Sequence, residues 1–183
     1  MEKKYKIFLI SDMEVGKTNI LSIYIKNSFL SNSRAAVGVD YIFKSINNNE
    51  GDIKLELWDT SGQERFRLII LPYCEGASGL FIVYDIINKE SYNNIDKWIN
   101  LIKQYINNKN IRKNPIIILL GNKLDLLDER QVSVEDITEK AQQYRIAFFE
   151  RSALNNLSFN RLVEKNITKR TKRENKGRRT NNR

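Results

Sequence analysis

The sequence predicts an α/β fold: a six-stranded, mostly parallel sheet with one antiparallel strand and helices on both faces. Short apolar runs alternate with amphipathic stretches, which is the pattern of layered helix and sheet. The runs Phe81 to Tyr84 and Ile116 to Leu120 are continuously apolar, as strands covered on both faces are. One pair of strand-like segments also encloses a stretch with turn chemistry. In chain order, Tyr5 to Ile10 reads as a buried strand, and Lys17 to Asn27 as a helix with Ile20, Leu21 and Tyr24 or Ile25 at helical spacing. A loop follows, from Ser28 to about Gly38. Val39 to Ile46 and Ile53 to Trp58 flank the loop Asn47 to Asp52 and close an antiparallel hairpin. Further helices are expected over Ser91 to Asn107, Ser133 to Tyr144 and Ser158 to about Thr171. Ser133 opens the second of these, with Asp136 in the third helical position as a capping-box variant. Ala147 to Glu150 supplies a short last strand.

A chain of 183 residues is the size of one ordinary domain. We place that domain at residues 1–170 and a basic tail at 171–183. The hydrophobic fraction of 41% and charged fraction of 29% match soluble globular proteins and exclude disordered, collagenous and membrane classes. The longest apolar runs fall well short of the roughly 18 to 20 residues that span a bilayer. Met1-Glu2-Lys3-Lys4 and the strand after it lack the apolar region and cleavage site of a signal peptide, so a cytoplasmic location is expected. Cys74 is the only cysteine and there is no histidine, which excludes an intrachain disulfide, a Cys/His zinc site and Ser-His-Asp or Cys-His catalysis.

The net charge of +9 is concentrated at one end. From Lys165 to Arg183 nine basic residues stand against one acid, Glu174, and the rest of the chain is close to neutral. A neutral body with a basic tail points to electrostatic attraction of the tail toward anionic lipid or nucleic acid. A solvated, frayed terminus is the plainer alternative. Nucleic-acid binding is disfavoured because the body offers no base-stacking platform.

Four motifs carry chemistry. Ser11-Asp12-Met13-Glu14-Val15-Gly16-Lys17-Thr18 follows the first strand. Such a turn aims backbone N–H groups, here those of Glu14 to Thr18, into one concavity at a helix N-terminus, where they hold a β-phosphate. Lys17 then neutralises β- and γ-oxygens, and the Thr18 hydroxyl ligates Mg²⁺. The strict pattern has glycine where this chain has Ser11, and Glu14 must point outward or repel the ligand. Without that glycine, an ordinary strand–helix turn with a surface lysine stays open. In Trp58-Asp59-Thr60-Ser61-Gly62-Gln63-Glu64, Asp59 can hold Mg²⁺ through its water shell, the Gly62 N–H can meet a γ-phosphate and Gln63 can orient an attacking water. Without the phosphate loop, Asp59 reads as a helix-capping residue. In Asn122-Lys123-Leu124-Asp125, the Asp125 carboxylate can accept from guanine N1–H and its 2-amino group, a donor pair adenine lacks. After the final strand, Ser152-Ala153-Leu154 can offer a backbone N–H to guanine O6.

Taken in this order, these motifs and Val37-Gly38-Val39-Asp40-Tyr41 make the chain resemble the Ras superfamily of small GTPases, and within it the Rab family, over roughly residues 5 to 170. Lys54 to Trp58, Tyr73-Cys74-Glu75-Gly76-Ala77 and Ile82-Val83-Tyr84-Asp85 look Rab-like. The resemblance implies the P-loop small GTPase fold, a GTP/GDP switch with Mg²⁺, and a monomer. It also implies effectors, exchange factors and GTPase-activating proteins reading the loops Ser28 to Tyr41 and Asp59 to Tyr73. It assigns Phe29 to the guanine edge and Tyr41, Trp58 and Tyr73 to an aromatic triad beneath the effector surface.

The chain departs from that family at several positions. Ala36 stands where switch I normally has the threonine whose hydroxyl coordinates Mg²⁺, so weak switch closure and slow hydrolysis are expected. Met13 replaces a small residue, and Leu154 the lysine of Ser-Ala-Lys. Rab-like proteins generally end in prenylated cysteines, whereas this sequence ends Arg178-Arg179-Thr180-Asn181-Asn182-Arg183. Either the sequence is truncated, or contact with intracellular membranes is peripheral, reversible and carried by the tail. A guanine-nucleotide-binding module with little or no hydrolysis is the alternative reading.

Overall fold

The computed structural model describes residues 3–26, 39–48, 51–63, 66–109 and 114–151. The six strands are β1 (Lys3–Ile10), β2 (Val39–Asn48), β3 (Gly51–Thr60), β4 (Gly79–Asp85), β5 (Ile116–Asn122) and β6 (Ala147–Glu150). They form one sheet in the order β2-β3-β1-β4-β5-β6. Only β2 and β3 pair antiparallel. The helices are α1 (Lys17–Lys26), α2 (Arg67–Tyr73), α3 (Lys89–Asn93), α4 (Ile95–Asn108) and α5 (Val134–Tyr144).

Alternation of side chains along β1 divides the core in two. Ile7 and Leu9 face α1 and pack with Ile20, Leu21 and Tyr24, while Phe8 and Ile10 face the other helices and pack with Ile70, Trp98 and Ile99. All seven residues of β4 are buried, as expected of a central parallel strand under helices on both sides. Ser133 caps α5 in the expected manner: its hydroxyl accepts from the Asp136 N–H, and the Asp136 carboxylate accepts from the Ser133 N–H.

The structure corrects four expectations. The hairpin loop is far shorter than Asn47 to Asp52, because strand pairing continues through Asn47↔Asp52 and Asn48↔Gly51. Polar residues on an edge strand extend a ladder as well as apolar ones do, and hydropathy does not report them. The helix expected over Ser91 to Asn107 starts earlier and is interrupted at Asn94, where ψ is −9°, against about −42° in a regular helix. The Asn94 side chain is drawn instead to Asp12. Arg67–Tyr73, expected to be loop, forms α2, which buries Ile70 and Leu71 and exposes Leu68 and Ile69. A 3₁₀ segment, Leu124–Glu129, follows β5, where no helix was expected. The expected helix from Ser158 lies outside the described residues.

This topology fixes where a ligand goes. β1 lies between β3 and β4, and the helices leaving β1 and β3 pack on opposite faces. That is a topological switch point, and the crevice outside the carboxyl ends of such strands is where open α/β sheets bind ligands. The ends of β1, β3, β4 and β5 bring Ser11, Asp59, Asp85 and Asn122 to that edge.

Candidate functional site

The loop from β1 to α1 is wound around its own lysine. Lys17 is buried, and its Nζ donates to Ser11 Oγ at 2.7 Å, to the Asp12 carbonyl at 2.8 Å and to the Ser11 carbonyl at 3.4 Å. Burial of the cation lowers the Lys17 pKa to about 8, against the opposing pull of Asp59 and Asp12. Glu14 takes a positive φ of 62° and its side chain is exposed to solvent. Val15 is fully buried beneath the loop. Gly16 has φ +92°, and a Cβ there would stand 2.4 Å from Asn122 Nδ2, so both backbone and space demand glycine.

Next to this loop, the Thr18 hydroxyl donates to Asp59 Oδ2 at 2.6 Å. Asp59 is 7% exposed, and its Oδ1 has no hydrogen-bond partner. Burial raises the Asp59 pKa, with the bond from Thr18 and the charge of Lys17 opposing. A hydroxyl beside a buried carboxylate with one unpartnered oxygen fits a hard divalent cation. Among the described residues no group of three or more His, Cys, Asp or Glu side chains could hold a metal alone. Mg²⁺ does not need one, since it uses one or two carboxylates together with phosphates and waters.

Gly62 is pressed against the loop: a Cβ would lie 2.3 Å from the Asp12 carbonyl group. Gln63 follows at the rim, its N–H directed to Ser61 Oγ at 3.4 Å. At the other end of the site, Asn122 Nδ2 donates to the Val15 carbonyl at 2.8 Å, while its buried Oδ1 has no partner. Lys123 has φ 67°, and its Nζ pairs with Asp85 Oδ2 at 2.6 Å. Asp125 stands exposed in the first turn of the 3₁₀ segment. The described chain reaches Arg151, whose N–H donates to the Gly121 carbonyl at 2.8 Å and whose carbonyl accepts from Leu124 N–H at 3.2 Å. Glu150, just before it, takes a bidentate pair from Arg130 and the Tyr84 hydroxyl, bracing the floor of this end.

The structure thus gathers Gly16, Lys17, Thr18, Asp59, Gly62 and Asn122, with Lys123 and Asp125 on the adjoining loop. Phe29, Ala36, Ser152, Ala153 and Leu154 lie outside the described residues.

Sequence reasoning missed the hub role of Asp12. Its Oδ1 accepts from Arg67 Nη2 at 2.6 Å and Trp98 Nε1 at 3.1 Å, and its Oδ2 from Asn94 Nδ2 at 2.6 Å. It also missed Asp85 as the partner of Lys123. Each is an acid at the carboxyl end of a central strand, and that position was the available signal. Of the aromatic three, Trp58 lies between Phe8 and Tyr41 at 5.1 and 4.9 Å, with Tyr73 at 6.2 Å. Tyr41 and Tyr73 are about half exposed, at 53% and 47%, so core packing does not account for them.

A buried lysine in a strand–helix loop, a Thr–Asp pair beside it and an Asn-Lys-x-Asp loop across from it define a P-loop nucleotide-binding protein. Comparison with known proteins gives the family. The model of the Ras family matches residues 6–172. Ras-related protein Rab-3C of Bos taurus is 41% identical over 164 residues, covering 87% of this chain and 70% of the relative. Ras-related protein Rab-11C of Dictyostelium discoideum is 37% identical over 167 residues, 91% and 72% of the two chains. Ras-related protein Rab-3A of Homo sapiens is 41% identical over 164 residues, 87% and 72%. The chain belongs to the Ras family and is a Rab-like small GTPase: it binds guanine nucleotide, hydrolyses GTP and acts in vesicle trafficking. Among the described residues no helix is long and apolar enough to cross a membrane.

Proposed function

We propose that the site holds GTP or GDP with Mg²⁺, with its residues in the following roles. The backbone of Glu14 to Thr18 and the Lys17 ammonium hold the phosphates. Thr18 and Asp59 hold the cation, which supplies charge neutralisation at the β- and γ-oxygens when bound. Asp125 reads the guanine edge, Asn122 ties the base-reading loop to the phosphate loop, and Lys123 is steered by Asp85. Phe29 packs at the base, and Ser152, Ala153 and Leu154 complete its pocket. The Gly62 N–H meets the γ-phosphate, and Gln63 orients the attacking water. Ala36 contributes an N–H but no oxygen ligand, so hydrolysis is slow.

The observation that carries this reading is the convergence of Lys17, Thr18 and Asp59 within hydrogen-bonding range of one loop, beside a carboxylate oxygen with no protein partner. Effectors, exchange factors and GTPase-activating proteins engage the loops on either side. Support for that surface comes from the exposed Tyr41, Ile42, Phe43, Leu68, Ile69 and Tyr73, which spread over β2 and α2. The domain, at residues 1–170, acts as a monomer in the cytoplasm. The tail 171–183, outside the described residues, adds salt-sensitive attraction to anionic membranes. Identifying the nucleotide and metal that copurify with the protein tests the site directly. Guanine nucleotide with magnesium is expected, and adenine nucleotide overturns the assignment.

A further inference from the structure

The serine that breaks the glycine pattern of the phosphate loop is buried, at 1% exposure, and it touches the functional lysine. Its hydroxyl hydrogen is committed, donated to the Asp12 carbonyl at 2.8 Å. Its lone pairs are therefore turned toward Lys17 Nζ, 2.7 Å away. An ammonium has three N–H donors, and three loop oxygens take them: Ser11 Oγ, the Asp12 carbonyl and, more weakly, the Ser11 carbonyl. Glycine at position 11 leaves only the two carbonyls.

We propose that Ser11 is an internal ligand of Lys17 that sets the affinity of the loop for polyphosphate. Resting on the nucleotide reading above, the argument is one of competition. A phosphate oxygen needs a donor that Lys17 has already given to Ser11 Oγ. The same hydroxyl cannot compensate by donating to the phosphate, because its hydrogen is spent on Asp12, and its lone pairs repel an anion at close range. The loop thus carries a built-in substitute for one phosphate contact, and nucleotide must displace it. Ser11 is in this sense a positioning residue for Lys17, acting on occupancy of the site and not on the chemical step.

The test compares the parent protein with Ser11→Ala and Ser11→Gly, each stripped of nucleotide. Fluorescent GDP titrations are run with Mg²⁺, and melting curves are recorded without nucleotide and at saturating GDP. Both substitutions are expected to tighten GDP binding by about tenfold, the worth of one hydrogen bond to a charged group. They should also slow GDP release and lower the melting temperature of the stripped protein but not of the GDP-saturated one. A merely structural serine lowers both melting temperatures and does not improve affinity. GDP binding that is unchanged or weakened in both variants overturns the proposal while leaving the nucleotide reading intact. A parent protein that takes up no GDP removes both.

Discussion

Asn122 Nδ2 donates to the Val15 carbonyl across 2.8 Å, joining residues more than a hundred positions apart in sequence and fastening the end of β5 to the loop between β1 and α1. The contact is so close that residue 16 has no room for a side chain. The two segments that we propose to hold opposite ends of the nucleotide are thereby tied together.

Asn122→Ala leaves the Val15 carbonyl without its donor in a buried place, a loss of about 1–3 kcal/mol. If that loss falls on nucleotide binding, the Kd for GDP rises roughly 5- to 150-fold. Fluorescent GDP titration of the two proteins checks this, and an unchanged Kd shows that the two loops are positioned independently.

Glu14 holds a left-handed backbone conformation at φ 62°, which costs an L-residue roughly 1–2 kcal/mol. Its side chain is exposed. Glu14→Gly is therefore expected to stabilise the protein by about 1 kcal/mol, after allowing for the entropy of glycine. Chemical denaturation at matched nucleotide concentration measures it, and destabilisation contradicts the conformational argument.

Ala36 lacks the oxygen that a threonine brings to Mg²⁺. Single-turnover hydrolysis of GTP is expected to quicken by about tenfold or more in Ala36→Thr, with a lower Mg²⁺ requirement. An identical rate and metal dependence shows that the alanine is neutral.

Burial beside α2 pushes the Cys74 thiol from 9.0 up to about 12, Lys6 opposing. The native state thus prefers the protonated thiol. The resulting stabilisation is complete below pH 9 and declines as pH rises from 9 toward 12. At pH 8 alkylation of Cys74 by iodoacetamide is expected to be at least about a hundredfold slower in the native protein than in the unfolded chain. Equal rates show that the thiol is not held as described.

Much of this architecture was legible because its signals are local. The apolar run Tyr5 to Ile10 marks a buried strand, although only the structure shows that Ile7 and Leu9 enter one helical layer and Phe8 and Ile10 the other. The spacing of Gly16, Lys17 and Thr18 marks a strand–helix turn. The capping pair Ser133 and Asp136 is only three residues apart, so the start of α5 is legible from the sequence alone. What escaped is what the sheet brings together from afar. The pull of Asp12 on Asn94 interrupts a helix whose own sequence is continuous. Lys123 is directed by Asp85 on a neighbouring strand end, and no motif contains both. Ser11 read only as a departure from a glycine pattern, and its bond to Lys17 became visible once the loop was closed.

The assignment of base reading to Asp125 is tested most directly by competition of GDP, ADP and xanthosine diphosphate for the site, in the parent and in Asp125→Asn. An aspartate accepts two hydrogen bonds from guanine, whereas asparagine offers one acceptor and one donor and suits the 2-oxo group of xanthine. The parent is expected to prefer GDP over ADP by at least about a hundredfold, and the variant to lose that preference and gain xanthosine diphosphate. ADP binding as tight as GDP in the parent, or a variant with unchanged selectivity, contradicts the account.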